Sequence, residues 1–346
     1  MSKSDDHNVT SLVVGAGLAG LIAARELERS GVDVVVVDKG RGVGGRLATR
    51  RIGDGVFDHG AQFFTVRDAE FGEEVAQWLR AGVVREWCRG FAGEDGTLRS
   101  DGHARYCGTN GMTGIAKHLA ADLDVRSGVR IERAAVRDGG WDVTTDAGEC
   151  WRAGALLLTP PVPQSLALVE SGGVALDLTV RACLEHISYD PCIAVMVLFH
   201  GNLQLPEPGA VRIEDGEPVY WIADNKRKGV SPSRSALTIH AGANFSRAHW
   251  EAEDVSIFAA LWAQAEKFLR DSSNQRTENP VVETWQLKRW RYSKPSVTHT
   301  ERFLAVGTPP LVFAGDAFGG PRIEGAALSG MAAARKLASI LGTRKL

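Results

Sequence analysis

Apolar positions near the start of the chain fall into two short runs on either side of a longer, amphipathic one. Thr10 to Val14 ends in adjacent valines and reads as a strand buried on both faces. Leu18 to Ser30 repeats apolar residues at helical spacing, and Val34 to Val37 is a second apolar run ending on Asp38. Strand, helix and strand joined by short connections predict a parallel sheet. Ala155 to Leu158, Leu311 to Phe313 and a helix reaching Leu341 repeat this pattern much later, so the first unit is expected to be discontinuous.

Elsewhere the texture changes. Asp68 to Ala81 predicts an amphipathic helix with Phe71, Val75, Trp78 and Leu79 on one face. A β-rich passage runs to Gly108, a helix is expected over Met112 to Leu123, and strands over Val125 to Val143. The prolines of Thr159-Pro160-Pro161-Val162-Pro163 are expected to force the chain out of the first unit. Beyond them lie strand-like segments at Pro191–Phe199, Val219–Ala223, Ala236–Gly242 and Val281–Trp290. One helix, Ala252 to Leu269, is expected to turn Val255, Phe258, Leu261, Trp262, Ala265 and Leu269 inward. The expected fold class is α/β: a Rossmann-type domain of residues 8–65, 108–163 and 301–346, and a mostly antiparallel second domain of residues 66–107 and 164–300.

Glycines give the first unit its chemistry. Gly15, Gly17 and Gly20 stand at G-x-G-x-x-G spacing between strand and helix. The first allows the tight turn, the second lets backbone approach a pyrophosphate, and the third lets helix and strand pack closely. The helix N-terminus then offers free N–H groups to the phosphates, and Asp38 stands where a ribose hydroxyl needs a carboxylate. Lys39-Gly40-Arg41-Gly42-Val43-Gly44-Gly45-Arg46 adds a second glycine-rich loop, and Arg46 offers a fork suited to phosphate. Two such loops suit an extended, buried FAD better than a nicotinamide cofactor, although a basic surface loop has the same composition.

Further candidates are weaker. Gly60 and Ala61 are small enough for backbone to approach a flat ring, with Gln62 presenting an amide. Asp58 and His59 are adjacent, so in extended chain they point apart and form no dyad. Ile131 is a candidate neighbour of an adenine. Gly315 and Asp316 end a strand and can face a ribityl or pyrophosphate group. Gly325, Ala326 and Ala327 make the start of the last helix small enough to approach a ring. In the second lobe Trp221, Asn225, His240, Arg247 and Trp290-Arg291-Tyr292 are substrate candidates, though taken singly each is more often structural. Lys226-Arg227-Lys228 reads as a solvated loop.

Composition narrows the class. With 346 residues and a net charge of −2, the chain predicts two lobes and argues against nucleic acid or a membrane surface as partner. Its five cysteines are scattered and hold no C-x-x-C, which argues against disulfides and zinc. The opening M-S-K-S-D-D-H-N has no apolar core, so a cytoplasmic setting is expected. No metal cluster, nucleophile elbow or triad is found.

The stretches VVGAGLAG, VVDKGRGVGGR, DHGAQFFTVRD, GMTGIAKHLA, WRYSKP and GDAFGGPRIEGAALSG run in order over almost the whole chain. Together they resemble the renalase family of amine-oxidase-like flavoproteins, GAQFFT and WRY being the more specific. The resemblance implies an architecture like p-hydroxybenzoate hydroxylase and the amine oxidases, with a non-covalent FAD; no cysteine follows Cys192 to offer a covalent link. It implies oxidation of misreduced nicotinamide dinucleotides, the 2- and 6-dihydro isomers of NAD(P)H. Hydride passes to the flavin N5, and O₂ reoxidises the flavin to give hydrogen peroxide and NAD(P)⁺. Asp38, Lys39, Arg46, Gln62, Asp316 and Gly325 carry over as FAD contacts, and Ala16, Gly45, Phe63, Glu324 and Ala326 complete the expected cofactor set. Phe64, Tyr106, His240 and Trp290, with Arg291, carry over as walls of the substrate cavity. Ala317 stands where the resemblance expects a bulkier residue, so the resemblance does not fix the shape of the pocket near the flavin. An amine oxidase of the same fold and a non-catalytic redox sensor are the alternatives.

Overall fold

The computed structural model describes residues 7–203, 205–214, 216–269 and 281–342. The opening residues behind the expected cytoplasmic setting, 1–6, lie outside them. The first strand, His7–Val14, forms where the valine run predicts it and pairs in parallel with Val34–Asp38 and Cys150–Leu158. Val125–Ser127 extends this sheet beside Val34–Asp38, and Leu311–Phe313 beside Cys150–Leu158, both in parallel. An antiparallel hairpin, Ile131–Arg137 and Gly140–Thr145, joins it through Cys150–Leu158. Helices Leu18–Arg29 and Ile323–Ile340 pack closely together: a Cβ on Gly330 would lie 2.4 Å from the Ala19 carbonyl oxygen.

The chain divides into two compact units. One runs through Gly45, then Ile115–Tyr189, then from Pro295 onward; the other is Arg46–Gly114 with Asp190–Lys294. The division is discontinuous, as the returning sheet pattern requires, but its boundaries differ from those read in the sequence. Pro161 is the N-cap of helix Val162–Ser171 and Pro163 lies in its first turn, so these prolines start a helix. The chain therefore stays in the first unit until Tyr189. Residues 46–65 belong to the second unit because Thr49–Ile52 and Gly55–Asp58 form a hairpin whose Ile52 and Phe57 pack on Met196, Leu198 and Ala236.

The second unit is a seven-stranded sheet in the order 281–297, 188–200, 236–241, 219–224, 210–212, 84–92, 98–108, in which antiparallel pairs dominate. One face buries Ile193, Val195, Val197, Ile222 and Ile239 with helix Asp254–Ala265. That helix buries Ile257, Leu261 and Ala265, whereas Val255 is 69% exposed, so its apolar stripe is narrower than its composition predicts. Helix Ala69–Arg80 is capped by Asp68, whose side chain accepts from the N–H of Glu70 and Phe71. It buries Phe71, Val75 and Trp78 and leaves Leu79 at 40% exposure. Among the described residues no helix is long and apolar enough to cross a membrane.

Candidate functional site

In the first unit the glycine motif takes the form its chemistry demands. Gly15 sits at φ +105°, a conformation that favours glycine. A Cβ on Gly20 would lie 2.0 Å from the Gly15 carbonyl oxygen and 2.9 Å from Thr159 Oγ1, so only glycine permits this approach of helix to turn. Gly17 is the helix N-cap, without a side-chain cap, and a Cβ there would meet no atom within 4 Å. The space beside Gly17 at the helix start is therefore open. The second glycine loop lies along the first, since Gly44 N–H donates to Ala16 O at 2.8 Å and Gly17 bridges Gly44. An uncapped helix terminus and an open cradle beside Gly17 fit the pyrophosphate of FAD.

Asp38 shapes this turn from below. Its Oδ2 accepts from Ala16 N–H at 2.7 Å and its Oδ1 from Gly40 N–H at 2.6 Å, which leaves lone pairs on both oxygens. The Val129 N–H donates to Asp38 O and the Gly128 N–H to Gly40 O, so Val129 flanks Asp38. Ile131, two residues further on, is 7% exposed and packs in the core. Lys39 Nζ donates to Gln164 Oε1 at 2.9 Å. Gly45 takes φ +53°. At the far end of the chain, Gly315 N–H donates to the buried Ser329 Oγ at 2.8 Å, ahead of the half-buried Asp316. Gly325 is buried, and its Cβ would lie 2.1 Å from the Gly320 carbonyl oxygen. Its smallness serves the loop ahead of the helix; Glu324 and Ala326 beside it are half-buried. Ala317 is 1% exposed and packs in the core.

In the second unit the segment 58–64 is held from several directions. Asp58 is completely buried and accepts from Lys228 Nζ at 2.7 Å, Thr49 Oγ1 at 2.6 Å and Met112 N–H at 2.8 Å. Its own N–H donates to Asn225 Oδ1, and its carbonyl accepts from Thr238 Oγ1 and Gln62 Nε2. Asn225 is thus a structural brace. Lys228, read from sequence as solvated, is completely buried against Asp58 with its Nζ 5.2 Å from the Trp87 ring centroid. Nothing local marks it, because the partner carboxylate lies 170 positions away.

Gly60 lets the chain pass Arg46: its Cβ would fall 2.1 Å from the Arg46 carbonyl oxygen, and Ala61 N–H donates to that oxygen. The absence of a side chain at Gly60 is thus required by the Arg46 backbone. Arg46 itself donates to the carbonyls of Tyr292 and Ser293. Gln62 is 6% exposed, and its Oε1 has no partner among the described residues. Phe63 packs on Phe91 and Trp221, whereas Phe64 lies in the core against Phe71, Trp78 and Tyr106. Phe64 and Tyr106 also bond backbone to backbone, so both serve the support of the segment.

Trp290 donates from Nε1 to His59 O at 2.9 Å and stacks on the His59 ring at 5.4 Å. His240 lies opposite Trp221 on the adjacent strand, and its Nε2 is buried with no partner among the described residues. Burial, then Arg50, His240 and Lys288, pushes His59 down to about 3. Burial pushes His240 down to about 4, against a hydrogen bond to the His59 backbone. Both imidazoles are neutral at physiological pH. Arg291 points the other way, over the Trp250 ring, because successive strand residues face opposite sides. That period-2 signal was available in the sequence and excludes Arg291 from the Trp290 wall.

A model of the NAD(P)-binding Rossmann-like domain matches residues 13–80, and one of the flavin containing amine oxidoreductases matches residues 81–338. Mouse renalase is 24% identical over 309 residues, covering 84% of this chain and 86% of that protein. The same fold recurs in a protein designated a protoporphyrinogen oxidase, from Exiguobacterium sp. 255-15, at TM-score 0.72 and 14% identity, over 98% of this chain and 100% of that one. It recurs in putrescine oxidase bound to putrescine at TM-score 0.68 and 14% identity, over 97% and 99% of the two chains. The chain belongs to the flavin containing amine oxidoreductase family and is a renalase-like, FAD-dependent oxidoreductase.

Proposed function

We propose that this oxidoreductase oxidises misreduced nicotinamide dinucleotides, the 2- and 6-dihydro isomers of NAD(P)H, to NAD(P)⁺. The observation that carries the reading is the Trp290–His59 contact. It joins the segment entering GAQFFT to the WRY segment, the two stretches most specific to the renalase resemblance, in one wall. Similarity to mouse renalase over most of both chains supports the same reading. FAD, held non-covalently, would supply the hydride acceptor, with O₂ as the final oxidant and hydrogen peroxide as its product.

The chain's own residues orient the reactants and exclude water. Gly15, Gly17 and Gly20 with the helix start would hold the pyrophosphate of FAD, and Asp38 its ribose. Gln62 Oε1 is a buried acceptor for a donor on cofactor or substrate. His59 and His240 stay neutral and take no proton, which suits a hydride transfer that needs no side-chain acid or base. A cytoplasmic setting belongs to this reading, supported by five free cysteines.

Anaerobic titration of the purified protein, followed by flavin absorbance, tests it. The 2- or 6-dihydro isomers should bleach the flavin within seconds, ordinary 4-dihydro-NADH far more slowly, and catecholamines not at all. Fast bleaching by an amine alone moves the protein to the amine oxidases, and bleaching by neither makes it a sensor.

A further inference from the structure

Resting on that reading of the substrate, we propose that Arg50 and Lys288 form the subsite that holds its pyrophosphate. Three other arginines of this unit are engaged elsewhere. Arg105 is 8% exposed and bonds Asp101 and the carbonyls of Arg89 and His103. Arg247 pairs with Asp190, and Arg291 lies over Trp250.

The strand Val281–Val297 sorts its cations by face. Arg289 and Arg291 turn toward Trp250, where Arg289 bonds Asp254 and the carbonyls of Trp250 and Ala252. Gln286, Lys288 and Trp290 alternate with them and share the opposite face. Lys288 Nζ lies 5.4 Å from the Trp290 ring centroid, and Trp290 is bonded to His59. Arg50 reaches the same face from its hairpin, donating to Gln286 Oε1 at 3.0 Å. Both cations help to hold His59 neutral, which places their charge beside it.

Charge balance carries the argument further. Arg105, Arg234, Arg247 and Arg289 of this unit each pair with a carboxylate. Among the described residues none pairs with Arg50 or Lys288, although both are half-buried. Two unneutralised cations on one face raise the local concentration of an anion, and a guanidinium fork with a point ammonium matches the oxygens of a pyrophosphate. A cationic amine would meet repulsion there.

The test separates this subsite from the substrate reading. ADP-ribose, which carries the pyrophosphate and no nicotinamide, is titrated calorimetrically into the FAD-loaded protein. Arg50→Ala and Lys288→Ala should each weaken its binding at least tenfold with flavin content retained, while Arg80→Gln, at an exposed position, should not change it. In anaerobic bleaching the same two variants should need at least tenfold more 6-dihydro-NAD. For 6-dihydronicotinamide riboside, which has no phosphate, the change should stay under twofold. Equal ADP-ribose affinity in wild type and variants, or equal losses for dinucleotide and riboside, overturns the subsite. If ADP-ribose binding depends on both cations but no dihydro isomer bleaches the flavin, the subsite stands and the substrate reading falls.

Discussion

Lys228 donates to Asp58 at 2.7 Å with both side chains completely buried, so the segment that carries His59 and Gln62 is moored by an ion pair out of reach of water. Removing one partner leaves an uncompensated charge in the interior, which costs about 3–5 kcal/mol. Asp58→Asn and Lys228→Met should each lower stability by about that amount. The double variant should cost less than the two single losses added together, by more than about 1 kcal/mol, because no orphan charge remains. Denaturant midpoints of the three holoproteins check this. Simple additivity would mean that the pair does not moor the segment.

How much of this was legible depends on how local each signal is. The turn at Gly15–Gly20 was readable because its causes lie within six residues of one another, and the Cβ clash at Gly20 is the reason the motif gives. The Asp58–Lys228 pair was not readable, since a run of three cations looks solvated until the fold brings a carboxylate to one of them. The resemblance implies Phe64 as a cavity wall, whereas its packing on Phe71, Trp78 and Tyr106 is a matter of the fold. Its neighbours Phe71 and Trp78 lie on a helix whose inward face could be predicted, but whose docking partner could not. The prolines at 160–163 misled because proline both ends strands and starts helices, and only the following backbone decides which.

The two glycine positions separate cofactor binding from folding. A Cβ at Gly17 enters open space at an ordinary φ of −78°, so Gly17→Ala should fold with unchanged far-ultraviolet circular dichroism. It should nevertheless lose most of its FAD, because the methyl group enters the pyrophosphate cradle. Gly20→Ala drives a methyl into the Gly15 carbonyl and should lower both stability, by about 1–3 kcal/mol, and flavin content. Flavin per chain and a melting curve for each variant decide it. Full flavin in Gly17→Ala would move the phosphate site elsewhere.

Acid should destabilise the protein in a defined window. His59 and His240 have folded pKa values of about 3 and about 4, below the ordinary 6.5, so the unfolded chain binds protons that the folded chain does not. Their stabilisation is complete above pH 6.5 and falls as pH drops below it, by roughly 1 kcal/mol per pH unit for each histidine. Asp224 acts in the opposite sense, since burial raises it to about 6 and the folded state holds its proton between pH 3.8 and 6. The net loss attributable to these three groups should therefore set in between about pH 7 and 6 and then run at a nearly constant slope, about that of a single histidine, from 6 to 4. Denaturation at a series of pH values, with His59→Asn as comparison, reads the slope. An unchanged slope in that variant would remove His59 as its source.

Trp290 should govern orientation of the substrate rather than retention of the cofactor. Its indole contributes a stack on His59 and an N–H bond to the His59 carbonyl. Trp290→Phe keeps a ring there and gives up only the hydrogen bond, so flavin reduction by 6-dihydro-NAD should slow severalfold. Trp290→Ala removes the wall itself. A reactive carbon displaced by about 1 Å can cost about a hundredfold, so a loss of at least tenfold in the limiting rate is expected. FAD content should match wild type in both variants, since the glycine cradle and Asp38 lie in the other unit. Anaerobic stopped-flow bleaching at saturating substrate, together with flavin release by acid precipitation, measures both quantities. A limiting rate in Trp290→Ala within twofold of wild type, with FAD bound, would remove this residue from the substrate wall.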